Sequence, residues 1–373
     1  MQSMNPMDTE VVSPILTPKE FIPKQAVAGI TLSYQRKIIK TGAFFTLFFN
    51  VLVSICFAQD KKDERITRYR HHISLATHLT NINLTSTIRN VDKADKIEFR
   101  TATATRLGIS FDYRWLGFEV FSRLPFSQAA EKGKTRNRGI FVRINKPRFW
   151  VNAVWQRFSG MYWSNPDAAA RTILLPGYYP IRDDINCNLL HLNAFYIFSP
   201  KRFSNPAAQG ENERQLKSGG SFLLGFGFFF DAMHGDQPFI PQSQAANFEN
   251  LAQVNEIKAR FLSLSGGYAH TFVLFKKAYF SIYMLPGLSR FNASQTTLSD
   301  EKRTVKGQWA PRLDLRLSMG YNTDKYFGGI MAQSIVNNQD LGQGTAFSNG
   351  FATLRLFFGR RFEMKRNLGM LNL

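Results

Sequence analysis

From Trp309 to Tyr321 the chain changes polarity at every step. Trp309, Leu313, Leu315, Leu317, Met319 and Tyr321 take the odd positions; Arg312, Asp314, Arg316, Ser318 and Gly320 take the even ones. Side chains of a strand point alternately to opposite faces, so this pattern predicts a strand with one apolar and one charged side. Aromatics stand at both ends of the apolar side with aliphatics between them, the order of a lipid-facing strand with an aromatic girdle at each interface.

The same alternation recurs along the chain. Strands are predicted at 71–84, 97–115, 117–124, 139–145, 149–158, 186–198, 220–231, 257–275, 278–289, 309–321, 326–336 and 350–362. In the seventh, Phe222, Leu224, Phe226, Phe228 and Phe230 share a face, while Leu223 and Phe229 are apolar exceptions on the other. Twelve antiparallel strands are an even number, and the connections sort by length. Those at 115–117, 146–148, 276–277 and 322–324 are short; those at 125–138, 159–184, 232–256, 291–306 and 337–349 are long. Short turns at one end and long loops at the other are the arrangement of outer-membrane barrels, with the short turns periplasmic. Segment 199–218 breaks the rule, being long at the short-turn end: either it tucks into the barrel mouth or the strand count is off. A spanning sheet cannot leave an edge unpaired in lipid, so the last strand should close on the first. The predicted fold is an all-β, closed antiparallel transmembrane barrel of about twelve strands over 71–362.

Composition fits this reading. With 44% hydrophobic residues and 35 Phe, the chain is too apolar for disorder. Its mean hydropathy of −0.22 stays low because apolar residues occupy alternate positions. The net charge of +20 would suggest nucleic acid, but Lys and Arg are dispersed over strands, loops and tails, so no nucleic-acid partner is expected. Attraction to anionic lipid head groups explains the charge at least as well. Outer-membrane lipids, and barrel-assembly machinery during insertion, are the expected partners.

Near the N-terminus, Arg36, Lys37 and Lys40 precede an apolar run from Ala43 to Phe57, and Ala58 precedes a polar run. This predicts an export signal over 36–58, cleaved after Ala58. Residues 1–35 read as an extension from an upstream start codon, 59–70 as a short periplasmic lead and 363–373 as a basic tail. Cleavage would leave Cys187 as the one cysteine, excluding an internal disulfide.

Candidate chemistry lies on the inward faces: Arg106, Asp112, Arg114, Glu119, Arg123, Arg143, Arg312, Asp314, Arg316, Arg355 and Arg361, with His191. Paired, these groups form a network filling a narrow lumen, because buried charges need partners. Unpaired, the arginines would make a basic conduit or pocket for anionic solutes or lipid phosphate. A barrel enzyme acting on lipids would need a His beside a nucleophile and an orienting group, and His78 and His191 are the candidates. No Gly-x-Ser-x-Gly elbow, phosphate-cradling loop or metal spacing is present, so neither cofactor nor metal is expected.

Several short stretches occur in a telling order: Phe158-Ser159-Gly160-Met161-Tyr162, Asn193-Ala194-Phe195-Tyr196-Ile197-Phe198, Lys201-Arg202-Phe203-Ser204, Gln215-Leu216-Lys217-Ser218-Gly219-Gly220-Ser221-Phe222, Gly266-Gly267-Tyr268, Pro286-Gly287 and Gly320-Tyr321-Asn322. In these the chain resembles a Bacteroidota family described only as domain of unknown function DUF4421. The resemblance implies an exported envelope protein and supplies no catalytic residue. The sequence therefore points to a non-enzymatic barrel with a structural, pore or binding role; a lipid-active barrel enzyme and a periplasmic β-sheet protein are the alternatives.

Overall fold

The computed structural model describes residues 65–364, apart from 94, 103–104, 125–129, 249–250 and 343. The export signal, the leading extension and the basic tail beyond 364 lie outside the described residues.

Twelve long antiparallel strands close into a ring. In chain order they include β2 (His72–Asn90), β4 (Thr105–Tyr113), β5 (Leu116–Arg123), β6 (Arg136–Asn145), β7 (Phe149–Trp163) and β8 (Ile181–Ile197). The others are β10 (Gly219–His234), β11 (Val254–Leu274), β12 (Ala278–Thr297), β13 (Lys302–Asn322), β14 (Tyr326–Gly342) and β15 (Thr345–Glu363). The ring closes where β15 pairs antiparallel with β2, Glu363 opposite His72 and Thr345 opposite Asn90, as the edge argument requires. Short pieces complete the chain: β1 (Ile66–Arg68), β3 (Lys96–Arg100), β9 (Glu213–Gln215), α1 (Ala168–Thr172) and α2 (Asn205–Ala208).

The predicted faces hold. On the outside wall Phe222 is 65% exposed, Leu224 47%, Leu315 39% and Leu317 44%, whereas Arg312, Asp314 and Arg316 are buried inside at 5%, 2% and 5%. Trp309 and Tyr321 mark the two ends of the outward row on β13, both exposed. They are separated by ~40 Å of strand at ~3.3 Å per residue. A tilt of roughly 40° projects this to ~30 Å, close to a bilayer's hydrocarbon thickness.

Four expectations need correction. The strand expected over 97–115 is two: β3 leaves the ring's order to bridge β2 and β7, and β4 ends at Tyr113 in a turn through Arg114 and Trp115. The stretches expected as long loops at 291–306 and 337–349 are mostly strand, because β12–β13 and β14–β15 run on as tall hairpins. Alternation there is polar on both faces or inverted, which hid the strands. The lead at 65–70 is not a free approach segment: β1 pairs antiparallel with β9, Ile66 opposite Gln215.

The fourth correction is to the expected polar interior, which holds only over part of the barrel's height. On β8, the inward residues toward the hairpin end are Ile185, Cys187 and Leu189, and the outward ones are Asp184, Asn186 and Asn188. Past Leu189-Leu190 the facing continues unbroken but the polarity of the two faces exchanges: the outward residues become Leu190 and Leu192 and the inward ones His191 and Asn193. On β11 the same exchange falls at Phe261-Leu262, between outward Arg260 and outward Leu262. Each such strand thus carries an apolar-out zone and a polar-out zone with its own apolar core.

Both ends of the barrel are stoppered. At the short-turn end, segment 199–218 enters the mouth, the first of its two alternatives. Ser204 caps α2, its Oγ accepting from the Ala207 N–H at 3.0 Å, with Pro206 in the first turn, where a missing N–H costs nothing. Phe203 and Ala208 then pack against Trp150, Phe195, Leu223 and Tyr283, which accounts for the inward Leu223. Gly210 has φ +67, and a Cβ there would collide with the Phe357 ring, so the chain turns at a position that requires glycine. At the hairpin end the β10–β11 loop folds inward, burying Phe239, Ile240, Phe248 and Leu251 with Phe99 and Phe229.

Candidate functional site

Between the stoppers lies a belt of buried charge, assembled because inward positions on neighbouring strands meet at one height. Arg143 on β6 is its hub. Its Nη2 donates to Asp112 Oδ1 on β4 at 3.1 Å and its Nη1 to Glu119 Oε2 on β5 at 3.2 Å. Its Nε lies 3.0 Å from Glu211 Oε1, an ion-pair contact without hydrogen-bond alignment. Glu211 comes from the short-turn stopper and also accepts from Asn145 Nδ2, so the stopper is keyed into the belt. Arg355 Nη2 on β15 reaches Glu119 Oε1 at 2.7 Å, with His78 Nε2 3.5 Å from the same oxygen. The imidazole rests against Gly108, whose register partner is His78 and where a Cβ would strike the ring.

A second cluster sits on β13. Arg316 grips Asp314 with two hydrogen bonds, 2.9 and 2.7 Å, and stacks 4.3 Å from the Trp150 ring centroid. Gln333 Nε2 adds a bond of 3.2 Å to the same carboxylate. Arg312 donates to Asn337 Oδ1 at 2.8 Å and lies 3.9 Å from the Phe229 ring centroid, so this arginine is held by an amide and a π face. Arg106 is held similarly, donating to Asn137 Oδ1 at 2.7 Å with Phe121 beneath it at 4.0 Å.

His191 belongs to a third group. Its Nε2 is 2.8 Å from Asp231 Oδ1; Asn349 Nδ2 donates to Asp231 Oδ2 at 3.4 Å, and Ser86 Oγ donates to Asn349 Oδ1 at 2.8 Å. The Ser86 hydroxyl therefore engages the amide, not the imidazole. A cavity of about 10 Å³ adjoins His191, Asp231 and Asn349, no larger than one water.

Of the residues expected in the lumen, Arg106, Asp112, Glu119, Arg143, His191, Arg312, Asp314, Arg316, Arg355 and Arg361 all face inward and are buried or half-buried. Arg114 does not. It sits in the β4–β5 turn at φ 54, with its guanidinium 5.6 Å from the Tyr113 ring, because the strand ends one residue before it. Arg123 ends β5 and its side chain lies outside the described residues. Sequence reasoning missed Glu211, which stands in a segment without alternation, and the neutral partners Asn137, Asn337 and Gln333. Among the described residues no His, Cys, Asp and Glu cluster could hold a metal ion.

At the short-turn end Arg361 donates to the carbonyls of Glu211 and Thr323 and lies 4.4 Å from the Tyr69 ring centroid. Tyr69 Oη donates to Asp324 Oδ1 at 2.7 Å, and Arg214 Nη1 donates to the same oxygen at 2.9 Å. The Tyr69 bond, then Arg214, holds the Asp324 carboxyl below the usual aspartate range. Burial, then the same bond, pushes the Tyr69 hydroxyl up to about 12. This trio latches β1 and β9 to the β13–β14 turn.

Among solved structures the chain shows low-scoring similarities. The outer membrane protease OmpT from Escherichia coli is similar at TM-score 0.37 and 9% identity, over 80% of this chain and 99% of that one. The P. putida toluene transporter TodX gives 0.27 and 8% over 78% and 90%. OprG from Pseudomonas aeruginosa gives 0.21 and 11% over 79% and 98%. No curated protein matches the chain. A family model matches residues 62–362, and the chain belongs to that family, the domain of unknown function DUF4421.

Proposed function

We propose that this chain is a β-barrel of the bacterial outer membrane, closed at rest by its two stoppers, with a structural or binding role rather than that of a standing pore. The observation that carries the reading is the inversion of faces along single strands. An apolar outer wall over a charged interior is stable only in hydrocarbon; a polar outer wall over an apolar interior is stable in water. A chain that makes both, one above the other and switching at a common level, is built to cross a membrane and stand out of it on the hairpin side.

The closed state follows from the belt. Three of these interior arginines, Arg143, Arg316 and Arg355, engage carboxylates, and Arg106, Arg312 and Arg361 are held by amides, backbone carbonyls or rings, so an anion entering the lumen would have to displace those partners. The test is reconstitution. The purified chain should insert into zwitterionic vesicles, shift its gel mobility on heating, and remain electrically quiet in planar bilayers. Steady ohmic conductance from the wild type, or recovery in the soluble fraction, would overturn the proposal.

The His191–Asp231 pair at 2.8 Å is the one feature favouring a lipid-active enzyme instead. That reading requires hydrolysis of a lipid panel that disappears in His191→Ala; an inactive wild type removes it.

A further inference from the structure

The level at which the faces invert is marked on the outer wall by arginine. Below it on β6 and β7 the outward residues are Ile140 and Trp155, 54% and 43% exposed. Immediately above them stand Arg138 and Arg157, exposed and directly opposite one another across the β6–β7 ladder. Arg136, two residues on, shares their face. Across the next ladder Arg157 faces neutral Asn188. Among the described residues none of these three arginines has an ion pair or hydrogen bond. Like charges at directly opposed positions of a ladder repel and destabilise the sheet, so the pair is unfavourable unless an anion lies between.

A second observation falls at the same place. The β5–β6 ladder runs from Leu116–Ile144 to Glu119–Phe141, whereas β6 pairs with β7 up to Arg136. Among the described residues, β6 from Ile140 upward is therefore paired on one side only. Arg136 and Arg138 thus stand on a stretch of β6 whose β5 side is unpaired among the described residues.

We infer that Arg138 and Arg157, with Arg136, form a binding site for the phosphate of an anionic lipid head group. The acyl chains would lie down the wall over Trp155 and Ile140 while the guanidiniums clasp the phosphate from above. Arginine's planar fork suits two-point contact with phosphate oxygens. The apolar surface directly beneath distinguishes a lipid from a free anion, which has no use for it. This site rests on the membrane reading above, and it moves the expected anion-binding role from the lumen to the outer wall.

The test uses the full chain, delipidated in neutral detergent and titrated by native mass spectrometry with phosphatidylglycerol, phosphatidylcholine or inorganic phosphate. Wild type should retain phosphatidylglycerol over phosphatidylcholine, and the double variant R138Q/R157Q should bind it about tenfold more weakly. Without lipid, Arg157→Gln should melt at the same or a higher temperature, since it relieves repulsion; a merely structural arginine would lower it. With phosphatidylglycerol the order should reverse. Equal phosphatidylglycerol affinity in wild type and double variant would overturn the inference, as would displacement by inorganic phosphate at matched concentration. Insertion into phosphatidylcholine vesicles with no preference for phosphatidylglycerol defeats the site while leaving the barrel's membrane residence standing. Failure to insert at all defeats both.

Discussion

Replacing Arg143 by methionine removes one guanidinium and orphans several buried groups at once. Asp112, Glu119 and Glu211 lie 3.1, 3.2 and 3.0 Å from its nitrogens, and all three carboxylates are buried. Breaking a buried ion pair from one side costs about 3–5 kcal/mol, because the remaining charge stays desolvated. The losses do not sum: Glu119 keeps Arg355 at 2.7 Å and Glu211 keeps Asn145, so Asp112 loses most. A destabilisation of about 4 kcal/mol is expected. Arg355→Met removes a single pair from a more exposed arginine and should cost about 1–2 kcal/mol. The assay is urea unfolding in neutral detergent, followed by tryptophan fluorescence and by the heat-dependent gel shift. A cycle with Glu211→Gln sharpens it. Removing the carboxylate should recover part of the R143M loss, giving a coupling well above the few tenths expected of independent sites. A cost below about 1 kcal/mol for R143M, or one equal to that of Arg355→Met, would refute the hub assignment.

Three other outcomes are expected. Gly108→Ala should destabilise by about 1–3 kcal/mol in the same assay, since the new methyl collides with the His78 ring and the belt must shift. Phe239→Ala should cost about 3–5 kcal/mol, the ring being fully buried in the hairpin-end stopper, and should raise the frequency of brief openings in planar bilayers. For the latch, Asp324 has a folded pKa below its unfolded one. Its contribution is therefore present above the usual aspartate range and lost as pH falls through the depressed value. Protease access to segment 199–218 should rise at strongly acid pH, and Asp324→Asn should show that access already at neutral pH with a flatter pH profile. An unchanged profile in Asp324→Asn would dissociate the carboxylate from the latch.

The ring, its strand number and its facing were legible because alternation is a direct record of two solvents. Phe222, Leu224, Leu315 and Leu317 could be assigned outward with no knowledge of their neighbours. What escaped was the change of solvent along one strand. Leu189-Leu190 and Phe261-Leu262 each place two apolar residues together, a slip of one in a period of two. Read locally it looks like noise; on the membrane reading proposed above, it marks where the bilayer ends. Leu223 and Phe229 looked like exceptions for a related reason, since each packs on a stopper that alternation cannot describe. The charged residues on strands were found by parity, but Glu211 was not, because its position depends on the path of a non-alternating segment into the barrel mouth. Arg114 was misplaced by one residue of strand length, enough to move a guanidinium from the lumen to a turn.

On the proposed membrane reading, the outer wall meets hydrocarbon below the arginine level and water above it. Depth-dependent quenching measures this directly. Single cysteines at Leu264, Leu315 and Lys258, introduced with Cys187 replaced and labelled with an environment-sensitive fluorophore, are placed in vesicles of lipids brominated along their chains. The probes at 264 and 315 should be strongly quenched and blue-shifted, and the probe at 258 should be neither. Quenching at 258 equal to that at 264, or none at any of the three, would contradict it.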